Sequence, residues 1–217
     1  MNEDIVNYLN EIRRDFSGKP LTEGSVHKDP FEQYAIWFKE AVDAQLLDPY
    51  AMSLTTVSAN GQPSTRIVYM RDIRPEGFVF YTNYNSSKGR DLAVNNKVAL
   101  TFFWGELERQ IRVEGEADKI SEADSDAYFS KRPRESQIGA WASSQSEEIT
   151  DRKQLEDQVA FYTDKFEGGE VPRPSRWGGY VVKPTKVEFW QGRASRLHDR
   201  IIYTKNGNDW NQSRISP

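Results

Sequence analysis

The segment Phe189 to Arg200, FWQGRASRLHDR, packs Arg193, Arg196, His198 and Arg200 into eight residues behind two aromatic side chains. If the strand ending in Phe189 and Trp190 continued through Arg200, its two-residue period would set Arg196, His198 and Arg200 on one face. Three such groups repel one another unless an anion lies between them. The pattern therefore reads as an anion site or as an exposed basic edge strand. Three other places offer cations suited to phosphate: Arg66 and Arg71 in RIVYMR, Lys88 in NSSK, and Arg132 and Arg134 in KRPRES. Arginine forks match phosphate oxygens. Near Lys88 a helix start would add amides and the hydroxyl of Ser86 or Ser87. Each place also has an ordinary reading: a solvated face or salt bridge for a strand arginine, plain capping for the serines, and a helix–helix corner for KRPRES. Arg66 and Arg71 are five residues apart and face opposite sides of an unbroken strand, so spacing alone does not make them one site.

Other chemistries are excluded by what the chain lacks. It has no cysteine, so disulfides, zinc–thiolate sites, Fe–S clusters and thiol nucleophiles are out. His27 and His198 are the two histidines, and no HExxH spacing occurs, so no metal site is expected. No GxGxxG or GxxxxGK[ST] follows a strand. Redox chemistry would then have to come from an organic cofactor. With 37% hydrophobic residues the chain can build a core, and a net charge of −4 argues against a nucleic-acid partner. No apolar run of about 18 residues is present and the N-terminus is too charged for a signal peptide, so no membrane association and a cytoplasmic address are expected.

The elements that must hold these residues follow from periodicity. Ile5, Tyr8, Leu9, Ile12 and Phe16 have helical spacing over residues 3–16, ending before Gly18 and Pro20. Thr22 to Pro30 reads as a loop, and a second helix spans Phe31 to Leu47, with Asp29 as N-cap and Pro30 at its first position. Strands follow at Ala51–Ala59, Thr65–Asp72 and Phe78–Thr82, with Asn60-Gly61 as a hairpin turn. A short helix at Ser86–Asn95 precedes strands at Lys97–Trp104 and Glu108–Ile120. Helices come near 121–130, 133–142 and 150–166. After a Gly/Pro loop at Gly168–Arg176, strands resume at Gly178–Trp190, Ile201–Thr204 and Trp210–Ile215, the last two around Asn206-Gly207. Strands joined by tight turns point to a mainly β, α+β architecture: an antiparallel, Greek-key-like barrel with appended helices. One domain is expected over 1–217, with an N-terminal helical segment (about 1–47) and a C-terminal segment (about 171–217).

Beyond pattern, the chain resembles the pyridoxamine 5′-phosphate oxidase family. RIV, FYTN, LERQIRVEG, RPRESQIGAWAS followed by QS, WGGY, FWQGRASRLHDR and the closing WNQSRISP stand in the family's order, over about residues 13–217. The resemblance implies an FMN-binding split β-barrel, working as a homodimer with FMN at the subunit interface. It implies oxidation of pyridoxine 5′-phosphate or pyridoxamine 5′-phosphate to pyridoxal 5′-phosphate, as in vitamin B6 salvage. A hydride passes from C4′ to flavin N5, and O2 is reduced to H2O2. Carried over by motif, Arg66, Ile67, Val68, Tyr69, Met70, Arg71, Tyr81, Thr82, Ser87, Lys88, Gln110, Gln145, Ser146, Trp190 and Arg200 form the cofactor set. Tyr128, Arg132, Ser136 and Arg71 meet the substrate phosphate. Arg196, Leu197 and His198 lie at the substrate ring, Arg196 and His198 as the catalytic pair, and Arg13 closes over the substrate.

The chain departs from the family pattern at three positions. Arg71 stands where lysine is usual, Ser87 where an arginine is common, with Arg90 as its replacement, and Phe16 where a lid tyrosine is frequent. A flavin reductase or oxidase of the same barrel acting on another substrate would keep the flavin residues without the set Tyr128, Arg132, Ser136, Arg196 and His198. A non-catalytic flavin or pyridoxal phosphate carrier would lack Arg196 or His198. All of these residues are present.

Overall fold

Three tight turns organise the sheet of the computed structural model, which describes residues 3–12 and 14–217. Gly61, at φ 85°, and Gly207, at φ 59°, take the left-handed conformation that their hairpins require. They join β1 (Ala51–Val57) to β2 (Pro63–Tyr69) and, near the C-terminus, β8 (Asp199–Asn206) to β9 (Asp209–Arg214). The third turn joins β3 (Asp72–Arg74) to β4 (Gly77–Asn83). The long strands β5 (Lys97–Trp104), β6 (Arg109–Lys119) and β7 (Trp177–Gln191) complete the described strands. Their order is β2-β1-β5-β6-β7-β4-β3, with β8 on β7 and β9 on β8. Ladders β1–β2, β1–β5, β3–β4 and β4–β7 are antiparallel, so the expected α+β, antiparallel architecture is observed.

The chain forms two compact units that interleave along the sequence. One comprises Tyr50–Phe102 and Val113–Lys186. Its core uses one face of the strands, as in the alternating burial of β1, where Met52, Leu54 and Thr56 point inward. Phe80 stacks on Tyr180, and Phe78 packs near Phe102. The helices α3 (Ser87–Val94), α4 (Glu122–Ser130), α5 (Arg134–Ala142) and α6 (Arg152–Lys165) belong to this unit. A second apolar cluster in it gathers Phe129, Ile138, Val171 and Trp177.

The other unit comprises the segments up to Pro49, Phe103–Arg112 and Val187–Pro217. It holds α1 (Glu3–Glu11) and α2 (Pro30–Asp43). Trp37 meets Phe189 edge-on and Phe189 meets Tyr203 likewise, and the Tyr203 hydroxyl donates to His27 O at 2.7 Å. Asp29 caps α2 as expected, its carboxylate accepting from Phe31 N.

Several boundaries differ from the sequence reading, each for a local reason. The first helix ends at Glu11 and buries none of its residues; Phe16 lies beyond it. The helix α2 stops at Asp43 because Gln45 adopts φ 56°. Leu46 N then donates to Ala41 O and Gln45 N to Val42 O, a Schellman closure that satisfies the last carbonyls. The second expected strand divides: β2 ends at Tyr69, and Asp72–Arg74 pairs with β4 instead. The strand after Trp190 does not run on to Arg200. It ends at Gln191 and is followed by a 3-10 turn at Ala194–Arg196, with Ser195 at φ 57° and Arg196 at φ 60°. Arg196, His198 and Arg200 therefore do not share a strand face. No helix among the described residues is long and apolar enough to cross a membrane.

Candidate functional site

The break between β2 and β3 builds the principal cleft. Met70 N donates to Tyr50 O and Arg71 N to Val79 O, so the backbone leaves the β1–β2 ladder at Met70 and joins β4. This removes the strict alternation that separated Arg66 from Arg71, and both side chains line one cleft of about 970 Å³. Ile67, Val68 and Tyr69 line it between them, joined by Tyr81 and Thr82 of β4, Lys88 of α3, Tyr128 of α4, Arg132, Ser136 of α5, and Gln145.

Each cation is held differently. Arg66 Nη1 donates to Thr56 Oγ1 at 2.7 Å and to Leu54 O at 3.2 Å, with Asp91 Oδ2 at 4.0 Å from Nη2. Lys88 is buried one residue into α3, whose N-cap Ser86 accepts from Gly89 N. A side chain at position 89 would place its Cβ 2.1 Å from Tyr84 O, so glycine is required for α3 to seat there. Lys88 Nζ has only long contacts, 3.3 Å to Thr82 Oγ1, 3.4 Å to Ser86 Oγ and 3.3 Å to Gln145 Oε1. Burial, and secondarily Arg66, push its pKa down to about 8. Arg71 lies over the rings of Tyr50 and Tyr69, at 5.4 and 5.0 Å. Arg132 follows the C-terminal end of α4, and its Nη1 is buried without a hydrogen-bond partner. Burial lowers the Arg132 pKa and Arg71 adds to the effect. Cations gathered at partial burial, with donors unspent, favour a doubly charged oxyanion such as a phosphate ester.

The departures can be placed as well. Ser87 is exposed, and Arg90, its expected replacement, pairs with Glu147 at 2.7 Å; neither lines the principal cleft. Met70 also lies off the cleft lining, and Ser146, at φ 73°, lines a neighbouring cavity with Gln145.

The remaining expected residues lie in the other unit. His198 Nδ1 accepts from Arg193 N at 3.1 Å, so the neutral ring carries its proton on Nε2 and presents a donor there. Its ring centroid is 4.5 Å from that of Trp190 and 5.1 Å from that of Phe16. The segment bearing Phe16 is tied down by Glu108, which accepts from Ser17 N at 2.8 Å and Arg14 Nη2 at 2.9 Å. Arg196 and Leu197 are exposed, and Gln110 is half-buried on β6. Arg200 donates to both oxygens of buried Glu188, at 2.8 and 3.0 Å. Arg13 falls outside the described residues. Among those described, no three His, Cys, Asp or Glu side chains are grouped to hold a metal.

Trp177 is a cleft residue with no role in the sequence reading. Trp177 lines the floor beside stacked Tyr81 and Tyr128. The WGGY motif contains it, but only its neighbours in space show what it does.

Comparison with known proteins extends this picture. The family described as pyridoxamine 5′-phosphate oxidase matches residues 38–164, and pyridoxine 5′-phosphate oxidase C-terminal dimerisation region matches 177–217. A pyridoxine/pyridoxamine 5′-phosphate oxidase of Trichormus variabilis is 49% identical over 208 residues, covering 95% of this chain and 97% of the relative. One from Rubrobacter xylanophilus is 50% identical over 206 residues, covering 95% of each. Among solved structures, PhzG from Burkholderia lata 383, in complex with tetrahydrophenazine-1-carboxylic acid, superposes with a TM-score of 0.86. It is 30% identical, and the match covers 93% of this chain and 100% of that one. The split-barrel fold expected from the resemblance is thus the fold of the chain.

Proposed function

The chain belongs to the pyridoxamine 5′-phosphate oxidase family, and from this we propose that it binds FMN and oxidises pyridoxine 5′-phosphate or pyridoxamine 5′-phosphate to pyridoxal 5′-phosphate. The observation that carries the reading is the convergence of Arg66, Arg71, Lys88 and Arg132 on one cleft, with an unpartnered Arg132 donor. Two phosphate esters, one of the cofactor and one of the substrate, suit that donor set.

Bound FMN would supply the hydride acceptor for the substrate C4′ and the means of passing the two electrons on to O2, with H2O2 as the by-product. Arg66, Thr82, Lys88 and Gln145 would hold its phosphate region, and the Ile67–Met70 backbone with Tyr81 would contact it. Ser87, Gln110, Ser146, Trp190 and Arg200 complete the cofactor set by motif. Tyr128, Arg132, Ser136 and Arg71 take the substrate phosphate. Arg196 orients the substrate ring with Leu197 beside it, and His198 donates from Nε2 to a ring substituent or moves a proton. Arg13 closes over the substrate. The working form is a homodimer with FMN at the interface, a reading supported by the match of residues 177–217 to a dimerisation region.

The molecule bound to PhzG, tetrahydrophenazine-1-carboxylic acid, carries a carboxylate and no phosphate ester, so another substrate on the same fold is the alternative to be tested. The purified protein should show a flavin spectrum. Given pyridoxine 5′-phosphate under air, it should yield pyridoxal 5′-phosphate and peroxide in equal amounts. A flavin-loaded protein that produces neither rejects the assignment.

A further inference from the structure

Arg132 is held unlike its neighbours. Arg74 is clamped by Asp72 and Asp124, and Arg173 by Asp126. Arg132 instead lies over Trp177, with Cζ 4.6 Å from the ring centroid, and 5.6 Å from that of Phe129. An aromatic face attracts a guanidinium through its quadrupole without accepting the in-plane N–H groups. A carboxylate in that place would occupy those donors and cancel the charge. The ring therefore fixes the fork and leaves its donors to a ligand, and Nη1 is indeed buried without a partner.

Trp177 is itself immobilised. It is 7% exposed. Its backbone N–H donates to Pro174 O at 2.9 Å, and its backbone carbonyl accepts from Arg173 Nη1 at 2.7 Å. Phe129 meets it edge-on at 5.2 Å. The same ring is nearly parallel to Tyr81, 9° apart at 5.4 Å, and to Tyr128, 13° apart at 6.2 Å. Tyr81 and Tyr128 stack at 3.7 Å. The tyrosine pair, stacked on each other at van der Waals distance, borders the indole, whereas the guanidinium lies directly on its face.

We propose that Trp177 is a positioning residue for substrate phosphate, holding Arg132 by its π face so that the guanidinium donors stay open to the anion. This rests on the assignment of Arg132 to the substrate phosphate above. Trp177 acts through Arg132 and takes no part in the chemical step, so its loss appears in KM and not in kcat.

The test uses the flavin-loaded full chain with Trp177→Leu, Trp177→Met and Trp177→Phe. The Leu and Met variants should raise KM for pyridoxine 5′-phosphate, and weaken competitive inhibition by inorganic phosphate, about tenfold, with kcat within about twofold and flavin retained. Trp177→Phe, which keeps an aromatic face, should recover most of the loss. In an Arg132→Leu background, Trp177→Leu should add no further effect on KM. Unchanged KM in either aliphatic variant, equal losses in Phe and Leu, or full additivity with Arg132→Leu overturns the proposal. If Trp177→Leu does not fold, Trp177→Met and Trp177→Phe still decide it. If the wild-type protein oxidises neither B6 substrate, the functional reading fails. Calorimetric binding of inorganic phosphate to the same variants then tests Trp177 by itself.

Discussion

Arg66 reaches diagonally across the β1–β2 ladder to Thr56, with Nη1 of the arginine donating to the buried threonine Oγ1 at 2.7 Å. Thr56 Oγ1 in turn donates to Asp91 Oδ2 at 2.6 Å, so one hydroxyl links the cation to its counter-ion. Thr56→Val keeps the volume and deletes the relay. It should weaken flavin binding about three- to tenfold by releasing Arg66, and Thr56→Ser should restore it. Fluorescence-quenching titration of the apoprotein with FMN reads both.

Lys88, proposed above to meet the flavin phosphate, should make that binding pH-dependent. Its folded pKa is about 8, against 10.5 ordinarily, while a phosphate ester is fully dianionic above about pH 7. Flavin affinity should therefore hold below about pH 8 and fall above it, about tenfold by pH 9 if only the ammonium binds. Lys88→Met should bind weakly at both values, with a flat profile. In the unbound protein the slope has the opposite sign. Between about 8 and 10.5 the unfolded chain holds the Lys88 proton and the folded chain does not, so this group's contribution to stability rises with pH. Urea melts of the apoprotein across that window measure it.

Arg132→Leu should raise KM for the phosphorylated substrates about 10- to 100-fold, the loss of charge-assisted hydrogen bonds to a dianion. Arg132→Lys keeps the charge but not the fork and should fall between. Steady-state kinetics at saturating O2 distinguishes them; equal KM in all three proteins would remove Arg132 from the phosphate site.

Arg196→Ala and His198→Ala should each depress turnover far more than flavin retention. The expected loss for His198→Ala is about 10²-fold or more if it moves a proton. The ratio of bound flavin to protein, taken with kcat, separates the two effects. Loss of flavin with residual turnover per bound flavin intact would mean that these residues belong to the cofactor.

Beside the flavin role proposed for it, Arg200 should contribute to stability. Glu188, 3% exposed, accepts from Arg200 at 2.8 and 3.0 Å and has Arg112 as a weaker partner at 3.5 Å. Arg200→Ala strands most of a buried carboxylate and should cost about 2–3 kcal/mol, less than for a carboxylate left with no partner. The double variant with Glu188→Gln should be more stable than Arg200→Ala alone. Urea denaturation of the apoprotein measures this without interference from the cofactor.

Much of this was legible in the residues alone, wherever the deciding forces act over a few positions. Asp29 before Pro30 sets a helix start, Asn60-Gly61 and Asn206-Gly207 set hairpins, and apolar alternation sets the strand Lys97–Trp104, because capping, φ and period are local properties. The ordered motifs likewise carried the family. Tertiary structure decided what depends on distant partners. Gln45 turning left-handed shortened α2, and the departure of Met70 from its ladder brought Arg66 and Arg71 into one cleft against the five-residue spacing. Arg90 was found paired with Glu147 and lining a neighbouring cavity beside Gln145, a placement its sequence position does not report. Trp177 acquired its place because β4, α4 and β7 meet, so that Tyr81, Tyr128 and Arg132 converge on one ring. Sequence distance does not report such convergence: the charge of Arg132 is written in the chain, but the direction of its donors is set by what packs beneath it.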